Sequence, residues 1–144
     1  MDSRALATFV LTLDTSAIYA ILRRSDPDHA RVVAARDQDP GPYFVPSAIL
    51  SEIGYLVETR LGTRALEDFL ADVLAGAYTL DCERHDVPRV KELIGRYADL
   101  ALGLADASVI AAAERHGGRV LSVDRRDFNV VAREGTITLL PQIN

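Results

Sequence analysis

The chain has 144 residues, 49% of them apolar and 26% charged, with a net charge of −5. That balance suits one domain with a sizeable core, and no apolar run approaches the roughly 18 residues of a membrane span. One cysteine, Cys82, excludes an internal disulfide and a multi-cysteine zinc site, and the acidic balance argues against a general polyanion binder.

Residues 1–8 read as an N-terminal extension and residues 9–144 as the folded domain. Met1-Asp2-Ser3-Arg4 lacks the basic and apolar regions of a signal peptide, so a cytoplasmic location is expected. Phe9 to Leu13 suits a short strand, and Asp14-Thr15-Ser16 offers capping chemistry for a helix to about Arg24. Pro27-Asp28 opens a second helix to about Asp37, broken by Asp39-Pro40-Gly41-Pro42. Tyr43-Phe44-Val45 predicts a second strand. Pro46-Ser47 starts a helix with Ile49, Ile53, Leu56 and Val57 along its apolar stripe.

Gly62-Thr63 separates that helix from another with Leu66, Phe69, Leu70, Val73 and Leu74 at helical spacing. Tyr78-Thr79-Leu80 predicts a third strand. The helix from about Asp86 carries Val87, Val90, Ile94 and Tyr97, with Pro88 tolerated in its first turn. The next runs from about Leu104 to His116 and stops at Gly117-Gly118. Arg119 to Val123 and Ile137-Thr138-Leu139 complete the strands. Alternating strands and helices predict an α/β domain, its mainly parallel sheet covered on both faces. Ligands of such sheets gather at the carboxyl ends of the strands, where Asp14 and Asp124 are expected to stand.

Asp14, Glu52, Asp106 and Asp124 each sit in apolar surroundings that are costly for a lone carboxylate. No matching lysines accompany them, since Lys91 is the only lysine. A shared divalent cation resolves the conflict, because magnesium and manganese prefer oxygen ligands. It also makes phosphodiester cleavage a natural chemistry for the site. Structural roles compete at each position. Asp14 suits an N-cap, Asp106 a helix dipole, Glu52 a solvated helix edge, and Asp124 the turn Asp124-Arg125-Arg126-Asp127. Asp99 is a weaker fifth candidate. Arg125 and Arg126 are candidate phosphate contacts because they directly follow Asp124.

The residues also resemble a known family. Leu13-Asp14-Thr15-Ser16-Ala17 is similar to the opening motif of PIN-domain ribonucleases, and Pro46-Ser47-Ala48-Ile49-Leu50-Ser51-Glu52-Ile53 to the segment with their glutamate. Leu102-Gly103-Leu104-Ala105-Asp106-Ala107 and Leu121-Ser122-Val123-Asp124-Arg125-Arg126-Asp127-Phe128 resemble the remaining acidic motifs. Four motifs in this order most resemble the VapC toxins of bacterial toxin–antitoxin pairs. The resemblance implies a PIN-like α/β/α sandwich and an endoribonuclease that needs Mg2+ or Mn2+. It implies Asp14, Glu52, Asp106 and Asp124 as catalytic and metal-holding residues, supported by the hydroxyls of Ser16 and Ser122. It implies RNA as substrate, a homodimer, a VapB-type antitoxin as partner and no membrane. Ser122 stands where threonine is common, and residues 1–8 exceed the pattern.

Two other readings remain open on sequence. A PIN module without activity would bind RNA or protein only. A receiver-like phosphoacceptor would need a lysine near the acidic group, and Lys91, in a predicted helix, matches that poorly.

Overall fold

The computed structural model describes residues 10–82 and 84–142. The proposed extension at residues 1–8, and Phe9 of the first predicted strand, lie outside that set. In chain order the elements are β1 (Leu11–Leu13), α1 (Thr15–Leu22), α2 (His29–Asp37), β2 (Tyr43–Pro46), α3 (Leu50–Leu61), α4 (Thr63–Leu74) and β3 (Thr79–Asp81). They continue with α5 (Val87–Arg96), α6 (Leu104–Arg115), β4 (Arg119–Leu121), α7 (Arg126–Ala132) and β5 (Thr138–Leu140). Single 3-10 turns at Ser47–Ile49, Arg84–Asp86 and Ala98–Leu100 lead into or link helices.

The five strands form one parallel sheet in the order β3-β2-β1-β4-β5. Thr12 pairs with Phe44 on one side and Val120 on the other, which makes β1 the central strand. The chain winds outward from β1 to β3, then returns to β4 and continues to β5. Because parallel crossovers are right-handed as a rule, the reversal of winding direction puts helices on both faces of the sheet. The reversal leaves a crevice beyond the carboxyl ends of β1 and β4, the place where open α/β sheets bind ligands.

Burial explains why these segments fold so. Leu11, Leu13, Val45, Val120 and Leu121 carry the sheet's apolar side chains inward, and all are fully buried. Ile53 and Val57 on α3 and Phe69 on α4 are equally buried, while Tyr55 and Leu74 of the same hairpin are 74% and 89% exposed. The predicted apolar stripes are therefore partly core and partly surface. On the other face, α6 is buried from Ala107 to Ala113, and its alanines let it lie close against β1 and β4. Gly118 ends that helix at φ +83°, where a Cβ would meet the Thr136 carbonyl oxygen at 2.3 Å. Only glycine lets the chain turn there into β4.

Several predicted boundaries shift. β3 and β5 each lie one residue later than the apolar runs suggest. β4 ends at Leu121 rather than Val123, because side chains capture the amides of Val123 and Asp124. The helix α7 replaces the turn expected after Asp124, held by the buried Phe128 and Val131.

Candidate active site

Asp14 leaves β1 at the crevice and enters α1 at once. Its amide donates to the Leu121 carbonyl across the sheet at 3.2 Å. Its Oδ1 accepts from the Ala17 amide at 3.0 Å and the Ser16 hydroxyl at 2.8 Å, so Asp14 is the N-cap of α1. Its Oδ2 accepts from the Ser122 hydroxyl at 2.7 Å. Capping and site-building are thus one arrangement, with both oxygens oriented and Oδ2 keeping a lone pair.

Ser16 and Ser122 join β1 to the segment after β4. The Ser16 oxygen donates to Asp14 and accepts from the amides of Val123 at 3.0 Å and Asp124 at 3.2 Å. Ser122 has one proton, given to Asp14, and its oxygen accepts from the Asp124 amide at 3.1 Å. The two hydroxyls stand 3.2 Å apart. They turn the backbone out of the ladder and carry Asp124 to the rim opposite Asp14.

A cavity of about 190 Å3 opens there, lined by Asp14, Glu52, Asp106 and Asp124 over an apolar floor that includes Ile49 and Val109. Glu52 comes from the first turn of α3 and Asp106 from the first turn of α6. Glu52 and Asp124 are exposed, Asp106 is half-buried and Asp14 is buried. All four sequence-chosen carboxylates therefore meet at one place, drawn from four separate segments.

Burial weakens the acidity of two of them. It raises Asp14 to about 7, against the lowering hydrogen bonds from Ser122, Ala17 and Ser16. Burial also raises Asp106 to about 6, helped by the negative charges of Asp124, Asp127 and Glu52. Asp127, in the first turn of α7, is the residue that sequence reasoning left unassigned.

Other candidates fall outside. Asp99 sits exposed in a 3-10 turn, and Lys91 is exposed on α5; neither lines the cavity. Arg125 faces a different cavity, and Arg126 is exposed at the start of α7.

The donor set suits a hard divalent cation. The lining ligands are carboxylate oxygens, and among the described residues no arginine, lysine or histidine pairs with any of the four. Their mutual repulsion is a charge deficit that such an ion would cancel. No three of the described acidic, histidine or cysteine side chains already converge as a ligand group. Glu52 and Asp124 are the two exposed carboxylates of that lining. Among the described residues, no helix is long and apolar enough to cross a membrane.

A family model described as the PIN domain matches residues 11–134. Ribonuclease VapC26 of Mycobacterium tuberculosis (strain ATCC 25618 / H37Rv) is 31% identical over 135 residues, covering 91% of this chain and 100% of that relative. Among solved structures, the fold superposes on VapC20 of Mycobacterium tuberculosis, a sarcin-ricin loop cleaving toxin, with a TM-score of 0.74 at 19% identity. That match covers 83% of this chain and 94% of VapC20. VapBC2 from Rickettsia felis, bound to a promoter DNA fragment, gives a TM-score of 0.67 at 12% identity, over 90% of this chain and 96% of that one. FitAcB from Neisseria gonorrhoeae gives 0.64 at 19% identity, with the same two coverages. At those identities the structural likenesses establish the fold.

Proposed function

Because this chain belongs to the PIN-domain family, we propose that it is a metal-dependent endoribonuclease and the toxin of a VapBC-type toxin–antitoxin pair. The observation that carries the reading is the acidic cavity at the sheet's switch point, four carboxylates without a cation among the described residues. Its nearest functional support is the 31% identity to a ribonuclease across that relative's whole length.

Asp14, Glu52, Asp106 and Asp124 would hold Mg2+ or Mn2+. Such an ion supplies an activated water at neutral pH and offsets charge on the phosphoryl oxygens. Asp14 is the fixed member, held by Ser16, Ser122 and the Ala17 amide. Asp106, half-buried and raised in pKa, is a second member whose ionisation gains from a nearby cation. Glu52 and Asp124 line the open side, where an RNA phosphate would arrive. The apolar floor holds water off the buried oxygens. The product expected from this chemistry is a 3′-hydroxyl and a 5′-phosphate.

A VapB-type antitoxin that covers the cavity, and a homodimer, complete the proposal. Exposed Tyr55 and Leu74 on the α3–α4 hairpin offer apolar surface for such contacts. A cytoplasmic location follows from the RNA substrate.

The test incubates purified, antitoxin-free protein with total cellular RNA in magnesium, in manganese and in chelator, beside Asp106→Asn. New 5′ ends are then sequenced. Metal-dependent cuts absent from the variant are expected. A folded, metal-binding protein that makes no cut in either metal would instead be an inactive binding module.

A further inference from the structure

Arg125 directly follows Asp124 in sequence yet faces away from the acidic cavity. It lines a separate cavity of about 400 Å3 between α7 and β5, together with Asn129, Thr138 and Gln142. Its Nε and Nη2 are buried without any hydrogen-bond partner among the described residues. The other charge that acts on it is also positive, the guanidinium of Arg31. A guanidinium keeps its charge and its planar fork of donors under all ordinary conditions. Unmatched donors of this kind are costly, so a cavity beside them is a place for acceptors.

The neighbouring arginines have carboxylates of their own. Arg31 donates to Asp28 at 2.7 Å, and Arg119 pairs with the buried Asp39. Both line a second cavity of about 510 Å3, which shares Gln142 with the first. Of these three guanidinium groups, Arg125 alone has no described carboxylate.

We propose that Arg125, with Asn129, Thr138 and Gln142, forms an anion subsite that takes a non-scissile phosphodiester of the RNA strand cut at the acidic cavity. The subsite rests on the ribonuclease reading above. Two features favour a nucleic-acid phosphate over an acidic protein side chain. Consecutive α-carbons lie only about 3.8 Å apart, so the segment carrying Asp124 also carries the subsite. A strand that places one phosphate over the first brings its neighbours past the second. The surrounding amide and hydroxyl groups also suit phosphate oxygens and ribose hydroxyls. Since Nε and Nη2 are closed over in the free protein, the fork turns toward the cavity when the phosphate arrives, giving a bidentate contact.

The test measures binding of a fluorescent single-stranded RNA to the Asp106→Asn protein in chelator, from about 50 to 200 mM salt. Adding Arg125→Gln is expected to weaken binding about fivefold at the lowest salt and to reduce the salt slope by about 0.7. Arg125→Lys keeps the charge without the fork, so an intermediate affinity is expected. Unchanged affinity and slope in a folded glutamine variant overturn the subsite. Should that variant not fold, a lysine variant equal to its parent overturns it as well. Inorganic phosphate that displaces the RNA as well as a competing oligonucleotide, at equal ionic strength, would contradict the strand assignment. If the parent binds no RNA and the wild-type protein cuts none, the ribonuclease reading fails and the subsite falls with it. If both hold and only the Arg125 result is flat, the subsite alone fails.

Discussion

Two acidic regions of this molecule are built on opposite rules. Along the seam of α5, the last turn of α6 and the segment after α7, Glu92, Glu114 and Glu134 each meet a guanidinium. Arg89 grips Glu114 through Nε and Nη2, both at 2.8 Å, and reaches Glu134 at 3.1 Å. Arg96 holds Glu134 at 2.7 Å, and Arg115 holds Asp81 at 2.5 Å and Asp86 at 2.6 Å. In the cavity at the ends of β1 and β4, four carboxylates gather with no described cation, and the charge of Asp127 acts on one of them, Asp106. Glu134 is pulled down to about 2 by its hydrogen bond from Tyr97 and by Arg96 and Arg89. Asp14 is pushed up to about 7 by burial. The same side-chain chemistry ties elements together in one region and is left charge-deficient in the other. The deficit marks where an external cation belongs.

The sharpest way to break the comparison is to remove the deficit. Asp106→Asn is expected to cut metal-dependent cleavage by more than about 100-fold, a loss at least as large as for groups that only orient metal ligands. Single-turnover cleavage of the mapped RNA measures it, and a loss under tenfold would separate Asp106 from the chemistry.

The next effect is on stability. Asp14 has a folded pKa near 7, above its ordinary 3.8. Its protonated form therefore supports the fold below about pH 4, and this support is lost as pH rises through 7. In chelator, Asp14→Asn should be more stable than wild type at pH 8, by up to about 4 kcal/mol. Denaturant melts at acid and alkaline pH check this. Equal wild-type stability across that range would show that Asp14 is not strained.

The paired region predicts the reverse sign. Glu134, depressed to about 2, contributes stability that is present above about 4.5 and lost as pH falls through 2. Because the group is partly exposed, Glu134→Gln should cost only about 1 kcal/mol at neutral pH. Substituting Asp127→Asn is the smallest change. It removes a negative neighbour, so the pKa of Asp106 in the metal-free protein should fall, as carboxyl NMR would report.

Much of this contrast is legible in the sequence, and the rest is hidden for identifiable reasons. Asp14, Asp106 and Asp124 stand out because each interrupts apolar sequence near an element boundary. Glu52 reads as a solvated helix edge, and it is indeed exposed, while still lining the cavity. Exposure and a place in the site are compatible at a rim. The helix α7 escapes notice because only seven residues form it and its stability comes from tertiary burial of Phe128 and Val131. Without that helix, Asp127 has no direction. The early end of β4 depends on Ser16, a residue 106 positions from Ser122, and no local pattern encodes such a bond. Arg125 shows the converse limit: adjacency to Asp124 in sequence does not give a shared direction in space.

The most direct measurement is a calorimetric titration of Mn2+ into the metal-free protein at about pH 6.5, in two buffers of different ionisation enthalpy. At that pH Asp14, raised to about 7, and in smaller part Asp106, raised to about 6, hold protons that a cation must displace. The account predicts binding that releases protons and that weakens at least about tenfold in Asp106→Asn. Absence of binding, or binding that releases no protons and ignores Asp106→Asn, would contradict the claim that the acidic cavity is built for a divalent ion.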